Sequence, residues 1–340
     1  MISFKNKRFS LLHAIIFVAL TAIVTFSLTS FWKERQFVAK MNNATTLSAN
    51  YNVKRMDGFK YIKPLMFVDD EYESDGLMGV KQKITGIIDA YKASGDLINA
   101  SIYLREYAHN EWMCINENEK FDPGSLFKVP VLIAILKMAE THPGFLNKSL
   151  TYNKVVNTGK NVAFVSKTIK LGQSYTVKEL LTYMIKYSDN NATILLEENL
   201  DPKILQKLFS DVGLQVPNIY ATQYLFTTKE YSYFMRAIYN AGYLSVEDSE
   251  FAGELLSQCD FKDGIVRGLP EGTKLAHKFG ESGNQNEKQL HESAIVYLEN
   301  KPYLLTIMTR GKDNKKLSQF IGEVSQAVYT DMRNMANATL

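Results

Sequence analysis

The chain has 340 residues, 46% of them hydrophobic and 22% charged, which is typical of a globular protein with one large or two modest domains. The net charge is only +3 and the basic residues are scattered, so the sequence gives no indication of nucleic-acid binding. The histidines lack metal-ligand spacing, and two cysteines, Cys114 and Cys259, make no disulfide framework, although they could pair. We therefore expect neither a metal nor a cofactor.

The N-terminus carries a basic leader, Lys5, Lys7 and Arg8, followed by a charge-free, largely apolar run over residues 11–32. About 20 apolar residues suffice to cross a bilayer as a helix. A cleavable signal peptide is the main alternative, but its apolar core is shorter, roughly 7–15 residues, and ends at a small-residue cleavage site that this run lacks. We interpret residues 1–32 as an uncleaved transmembrane anchor.

The orientation of this anchor follows less directly from charge, because Lys33, Arg35 and Lys40 nearly balance the leader. The short basic leader is typical of secreted chains and favours an extracytoplasmic C-terminal domain. We therefore predict a single-pass protein of the cell membrane. Residues 33–74 show no sustained period and are interpreted as a juxtamembrane linker.

Residues 75–340 carry alternating helix and strand patterns. An amphipathic helix follows residue 75 and ends near 94, and a strongly apolar helix covers 127–139. Period-two patterns predict strands over 98–107, 111–116, 273–280, 292–298 and 303–309. Helical patterns occupy 177–187, 192–198, 202–212, 228–241 and 316–335. The strands from both ends can form one antiparallel sheet, with residues of about 125–256 as a helical lobe, which is an α+β fold.

The first of three candidate motifs pairs Ser125 with Lys128 at the start of the apolar helix. A spacing of three residues places both side chains on one helical face. A serine hydroxyl needs a base to become a nucleophile, and a lysine serves if desolvation lowers its pKa. The free N–H groups of a helix start also favour negative charge at Ser125. Serine and lysine are common, so this motif alone is weak.

The second motif is Ser188-Asp189-Asn190, between two predicted helices. A second hydroxyl beside a lysine can relay a proton, and an asparagine amide can hold a substrate peptide bond. The same three residue types are also the preferred N-caps of helices, so a cap is the structural alternative.

The third motif, Lys278-Phe279-Gly280, lies in a predicted strand. A lysine there can bind a substrate carboxylate, and a glycine lets a substrate backbone approach the strand closely. An exposed strand lysine is the alternative interpretation for Lys278 alone.

In this order the motifs resemble S-x-x-K, S-D-N and K-T-G of class A β-lactamases and penicillin-binding proteins. The resemblance extends from about residue 75 to the C-terminus and implies that family's fold, a sheet with an inserted helical lobe. It also implies that Ser125 is the acylated nucleophile, Lys128 its base and Ser188 the proton relay. Asn190 would hold the substrate amide, and Lys278 and Gly280 would line the carboxylate side. The backbone N–H groups of Ser125 and Glu281 would form the oxyanion hole.

The sequence departs from the family pattern at two points, and both change the activity that we expect. Phe279 replaces the usual threonine or serine, which removes a hydroxyl from the carboxylate side of the site. The family's E-x-x-L-N segment, whose glutamate activates the deacylating water, has no counterpart over residues 212–228, which contain no acidic residue. Glu230 follows where the next helix begins, and a glutamate in a first helical turn is a routine helix feature.

The leading hypothesis is a membrane-anchored serine acyl-enzyme that acts on β-lactams or D-Ala-D-Ala-type cell-wall peptides and turns β-lactams over slowly. One alternative is a true β-lactamase with another deacylation base. The other is a non-catalytic binding or scaffold protein that kept the fold. Two histidines near the predicted site, His277 and His291, are left without an assigned role.

Overall fold

The computed structural model describes residues 51–338, except 57, 71, 156–162, 165, 218–223 and 300, together with six positions among the first fifty residues. Those six, Thr21, Thr25, Thr29, Trp32, Lys33 and Arg35, are helical. The predicted anchor over residues 11–32 lies almost entirely outside the described residues. Within the described part of the chain, no helix combines the length and the apolar character that a membrane span requires.

Residues from Tyr51 onward form one compact unit. Its strands are β1 (Tyr51–Arg55), β2 (Leu65–Asp70), β3 (Leu97–Glu106), β4 (Trp112–Ile115), β5 (Ser149–Thr151), β6 (Ser174–Thr176), β7 (Leu275–Gly283), β8 (Lys288–Val296) and β9 (Tyr303–Gly311). Its α-helices are α1 (Met78–Ala93), α2 (Lys128–Thr141), α3 (Val177–Lys186), α4 (Asn190–Glu197), α5 (Pro202–Asp211), α6 (Thr228–Tyr239), α7 (Val246–Ser257) and α8 (Asn314–Ala338).

The central sheet has five antiparallel strands in the order β4-β3-β9-β8-β7. Strands from both ends of the chain therefore join in one sheet, and the α+β expectation is confirmed. The chain closes this sheet by pairing β3 with β9 along its whole length, from Leu97 opposite Gly311 to Glu106 opposite Tyr303. This arrangement leaves β7 at one edge, next to the helical lobe.

Two apolar layers cover the sheet. On one face lie α1 and α8, and α8 contributes Leu317, Phe320, Val324 and Val328 at three- and four-residue intervals. On the other face lies the lobe, whose central helix is α2. Every residue from Lys128 to Leu136 is buried, which explains why the sequence of α2 is apolar all round and why a charged residue at its start stands out.

The folded unit begins earlier than the sequence predicted. Part of the predicted linker, residues 51–70, forms the β1–β2 hairpin, and Met66 and Phe67 are buried against the lobe. The Phe67 ring stacks on Tyr233 of α6 at 5.1 Å between centroids. The strands have only five and six residues, with a register shift between Lys54 and Arg55, so their period-two signal is too short to detect in the sequence.

The two cysteines do not pair. Both are buried free thiols, and burial raises the pKa of Cys114 to about 11. Each belongs to a different apolar layer, Cys114 to the lobe side of the sheet and Cys259 to the α1 and α8 side. A pairing that the sequence left open is therefore excluded by the sheet between them.

Candidate active site

Ser125 lies on a 3₁₀ turn, Gly124–Phe127, that leads directly into α2. This turn packs backbone to backbone against β7. A Cβ at Gly280 would lie 2.3 Å from the carbonyl oxygen of Pro123, and Gly124, at φ +51°, would clash with the carbonyl of Glu281 in the same way. Only glycine fits at such contacts. The close approach sets Ser125 beside Glu281, the two residues predicted to supply the oxyanion-hole N–H groups.

Asp122, which precedes this turn, is held by side chains of the central sheet. The carbonyl oxygen of Asp122 accepts hydrogen bonds from Ser282 Oγ and His291 Nε2, both at 2.9 Å. The other ring nitrogen of His291, Nδ1, accepts from the backbone N–H of Thr309 at 3.1 Å, so the imidazole is neutral and fully used. Burial lowers the pKa of His291 to about 4. This histidine, whose role the sequence left open, positions the segment that leads into the turn of Ser125.

Lys128 begins α2 and is buried. Its ammonium donates to the backbone carbonyl of Ser188, to Ser188 Oγ at 3.2 Å and to Asn190 Oδ1 at 2.8 Å. The lysine of the first motif therefore contacts two members of the second, 60 residues further along the chain. Such an arrangement is what a lysine–serine proton path requires, and a surface lysine would not show it.

The Ser188-Asp189-Asn190 segment is both a helix cap and part of the site. Asp189 is the N-cap of α4, and its carboxylate also accepts from Thr168 Oγ1 and the N–H of Ile169, at 2.9 and 2.8 Å. Ser188 is held at φ +54°, a left-handed conformation that is unfavourable for a non-glycine residue. The cap and site interpretations of the sequence are thus compatible, because different residues of the tripeptide serve each role.

Lys278, on β7, is completely enclosed, with 0% of its surface exposed. Its ammonium donates to Ser188 Oγ and to the carbonyl of Phe279, both at 3.0 Å, and lies 4.2 Å from the centroid of the Phe279 ring. Burial lowers the pKa of Lys278 to about 8, while nearby groups including Glu281 and Glu292 oppose the shift. The strand lysine is therefore not exposed, and Ser188 Oγ lies between two ammonium groups.

Phe279 forms part of an aromatic stack that also holds a loop from the lobe. Its ring stacks on Phe261 at 4.3 Å and 18°, and the Phe164 ring meets Phe261 edge-on at 4.7 Å. The motif position that carries a hydroxyl in the family therefore carries a stacked apolar ring in this chain. We call Lys278, Phe279 and Glu281 the strand wall of the site, and Ser125, Lys128, Ser188 and Asn190 the helical wall.

The Glu281 side chain is a feature that the sequence did not indicate, because only its backbone N–H was considered. Its carboxylate accepts a hydrogen bond from the N–H of Ala163 at 2.9 Å. It also interacts electrostatically with the positive charges of Lys278 and Lys128. Partial burial raises the pKa of Glu281 despite these partners. A contact between residues 118 positions apart leaves no local sequence signal.

Two other acidic and basic groups have structural partners. Glu230 and Thr227 form a capping box at the start of α6, with the Glu230 carboxylate accepting from the Thr227 N–H at 2.8 Å, as the sequence predicted for a first-turn glutamate. His277 Nδ1 lies 2.7 Å from Glu292 Oε1, and both side chains are fully buried behind the site. In the part of the chain that the structure describes, no group of three or more potential metal ligands occurs.

Comparison with known proteins agrees with this geometry. A family model described as "Beta-lactamase enzyme family" matches residues 79–332. A β-lactamase of Phocaeicola vulgatus is 24% identical over 249 residues, 64% of this chain and 75% of that protein. The extended-spectrum β-lactamase PER-1 of Pseudomonas aeruginosa is 23% identical over 248 residues, 64% of this chain and 78% of that protein.

Solved structures share the fold at low identity. The penicillin-binding protein PBP-A has a TM-score of 0.63 at 20% identity, covering 76% of this chain and 97% of its own. A β-lactamase of Sphaerobacter thermophilus has a TM-score of 0.64 at 17% identity, covering 74% of this chain and 97% of its own. With the family model matched over most of its length, this chain belongs to the β-lactamase enzyme family and is a serine hydrolase.

Proposed function

We propose that Ser125 attacks the carbonyl carbon of a strained or activated amide and becomes acylated, with Lys128 as the general base. The observation that carries this proposal is the hydrogen-bonded chain Lys128 Nζ–Ser188 Oγ–Lys278 Nζ, at 3.2 and 3.0 Å, one helical turn from Ser125. Acylation by this route needs no group beyond those that the two walls supply.

The proposed step balances as follows. Lys128, in its neutral form, takes the hydroxyl proton of Ser125 as the Oγ–carbonyl bond forms, and the backbone N–H groups of Ser125 and Glu281 stabilise the oxyanion. The amide C–N bond then breaks. Ser188 donates its proton to the departing nitrogen and regains one from Lys128, so that the hydroxyl proton of Ser125 is in effect transferred to the departing nitrogen and Lys128 is neutral again. The Lys278 ammonium beside Ser188 Oγ stabilises negative charge on that oxygen during the transfer.

We propose β-lactams or D-Ala-D-Ala-type cell-wall peptides as the substrates. A structural relative of 21% identity, a variant of PBP-A with a TM-score of 0.63, is described as an acyl-enzyme complex with penicillin G. Asn190 would hold the substrate amide, and the β7 edge beside Gly280 would pair with an extended substrate backbone. The family resemblance implied that Lys278 binds a substrate carboxylate. Because its ammonium is enclosed, Lys278 would attract that carboxylate electrostatically and not by direct contact.

We further propose that hydrolysis of the acyl-enzyme is slow. Two acidic residues flank the expected deacylation segment, and both have structural partners: Asp211 accepts from Lys207 Nζ at 2.7 and 2.8 Å, and Glu230 caps α6. Full β-lactamase activity is the second candidate, and Glu281 is the observation that favours it, because its carboxylate is half-buried within the field of both site lysines and has a raised pKa. In that case Glu281→Gln would abolish turnover while leaving acylation intact.

The test is labelling of the full chain by a fluorescent penicillin, compared with Ser125→Ala, and nitrocefin turnover by the same preparations. We expect covalent labelling of the natural chain only, with little turnover. Absence of labelling at any penicillin concentration would overturn the acylation proposal. Multiple turnovers that depend on Glu281 would instead establish the second candidate.

We also propose that residues 1–32 anchor the protein in the cell membrane, with the hydrolase domain extracytoplasmic. The support is the apolar run over residues 11–32 after a basic leader. An alkaline phosphatase fused after residue 45 should be active in cells, and carbonate extraction should leave the full chain in the membrane fraction. An inactive fusion would reverse the proposed orientation.

A further inference from the structure

The β1–β2 hairpin presents a cluster of apolar side chains at its tip that the described residues leave partly or largely exposed. Phe59, Tyr61 and Ile62 are 48%, 85% and 59% exposed, and they lie within four consecutive residues. Removing apolar surface from water is favourable by roughly 25 cal/mol per Å². A partner that covered these three side chains together would therefore be bound with a favourable hydrophobic contribution. The hairpin precedes residues 79–332 and so lies outside the region that the family model matches.

The base of the hairpin is held firmly, so the tip is a preformed surface. Met66 and Phe67 are buried in the lobe, and the guanidinium of Arg236 lies 4.4 Å from the centroid of the Phe67 ring. Arg105 Nη2 donates to the carbonyl of Val68 at 3.2 Å, and Met56 N–H donates to Pro64 at 2.9 Å. The apolar tip thus projects from a fixed base.

Basic residues alternate with the exposed apolar ones. Between residues 54 and 63 the sequence contains four basic residues, Lys54, Arg55, Lys60 and Lys63, and one acidic residue, Asp57. Aromatic and aliphatic side chains interleaved with lysines are the composition of segments that lie at the interface of an anionic bilayer, where the rings enter the headgroup region and the lysines meet phosphates. A protein partner with an apolar pocket would not require this charge.

The position of the hairpin in the chain identifies the occupant. Among the described residues it is the first strand pair after the apolar run over residues 11–32, and a chain of the length of residues 33–50 spans at most about 60 Å when extended. The length of this segment therefore limits the distance between a bilayer that held the proposed anchor and the start of β1 to about 60 Å.

We propose that residues 58–63 form a second membrane contact, which inserts Phe59, Tyr61 and Ile62 among anionic phospholipid headgroups. This contact would hold the hydrolase domain against the bilayer. The inference extends the proposed anchoring, but it concerns different residues and is tested separately from it and from acylation.

The experiment uses the full chain reconstituted in vesicles of phosphatidylcholine with and without phosphatidylglycerol. The natural cysteines are buried, so an environment-sensitive fluorophore can be attached selectively to Tyr61→Cys. The matched control is Ile98→Cys, a 45% exposed side chain at the other end of β3, about 23 Å of strand from Arg105. Lipids brominated on their acyl chains quench a fluorophore only where it reaches the bilayer.

We expect quenching at position 61 in anionic vesicles, at least fivefold stronger than at position 98. Lys60→Gln combined with Lys63→Gln should weaken the contact by about fivefold per lysine, without changing penicillin labelling at Ser125. Equal quenching at both positions, or no effect of phosphatidylglycerol, would overturn the proposal. If the chain does not stay in the vesicles, the anchor is wrong, and sedimentation with the same vesicles then measures the hairpin contact alone, with the same expected loss in the double variant.

Discussion

The helical wall and the strand wall of the site are stabilised by different forces. In the helical wall, Lys128 is fixed by hydrogen bonds to Ser188 and Asn190, and each partner is itself held by the start of α4. In the strand wall, the Phe279 ring is fixed by stacking on Phe261. The first wall carries the groups to which we assign proton transfer. The second carries an apolar ring where the family's motif has a hydroxyl, so the departure from the family pattern among the three motifs lies on the strand side.

The helical wall and the strand wall are in backbone-to-backbone contact at two glycines. Gly124 and Gly280 allow the turn of Ser125 to touch β7, and Lys278 reaches from the strand to Ser188 in the helical lobe. The proposed acylation geometry therefore depends on the strand, although its motif departs from the family pattern at Phe279. Each of the following predictions tests one side of this comparison, from the largest expected effect to the smallest.

Removal of the proposed base should have the largest effect. Lys128→Ala should lower the rate constant for acylation by penicillin about 10³-fold, because general base catalysis is lost and Ser188 Oγ keeps only one of its two lysine partners, Lys278. The control is Lys137→Ala on the same helix, whose ammonium binds Glu140 and the carbonyl of Tyr243 away from the site. Stopped-flow measurement of labelling gives both rate constants. Equal rates for Lys128→Ala and the natural chain would exclude Lys128 as the base.

Disturbing the backbone contact between the two walls should have the second largest effect on the acylation rate. Gly280→Ala places a Cβ 2.3 Å from the Pro123 carbonyl, so the turn of Ser125 must move away from β7. A shift of about 1 Å at the oxyanion hole is expected to slow acylation roughly 10²-fold. Gly86→Ala in α1, where a Cβ meets nothing within 4 Å, is the matched control. If both variants acylate alike, the close approach has no catalytic role.

Loss of the positive charge of Lys278 at high pH should lower the rate constant for acylation, which gives the pH–rate profile a descending limb. Its pKa of about 8 means that the ammonium is present at pH 7 and is lost as the pH rises above 8. The rate constant should then fall toward a tenfold decrease per pH unit. Lys278→Arg, which does not deprotonate in this range, should shift that limb to higher pH. A limb unchanged in the arginine variant would assign it to another group.

The exchange at Phe279 should have the smallest effect on chemistry and the clearest effect on recognition. Phe279→Thr restores a hydroxyl near the enclosed ammonium and should accelerate acylation by benzylpenicillin up to about tenfold, the value of a hydrogen bond to a charged group. Phe279→Ala removes the ring without adding the hydroxyl and is the control. Both lose the stack on Phe261 and should be destabilised by about 3 kcal/mol, measured by denaturant unfolding. Slower acylation by the threonine variant than by the alanine variant would refute this role.

Much of the fold and of the site follows from local sequence signals. The strands of the central sheet, the order of the three motifs and the first-turn role of Glu230 depend on residues close in sequence, and these predictions agree with the structure. The β1–β2 hairpin was missed because its two strands are short and interrupted by a register shift.

What the sequence could not give depends on residues far apart in the chain. The enclosure of Lys278, its contact with the Phe279 ring and the bond from Glu281 to Ala163 arise only when the lobe folds onto β7. Helix α7 was not singled out among the helical patterns, and the pairing of β5 with β6 was not predicted, since each strand has three residues. The roles of His277 and His291 likewise became visible through partners on neighbouring strands.

The central claim is that this site forms an acyl-serine readily and clears it slowly. Mass spectrometry of the intact protein after a brief exposure to benzylpenicillin, followed over hours and mapped by peptide digestion, tests it most directly. We predict a stoichiometric adduct on Ser125 that persists long after free penicillin is removed. An adduct on another residue, no adduct at all, or loss of the adduct within seconds would contradict the claim.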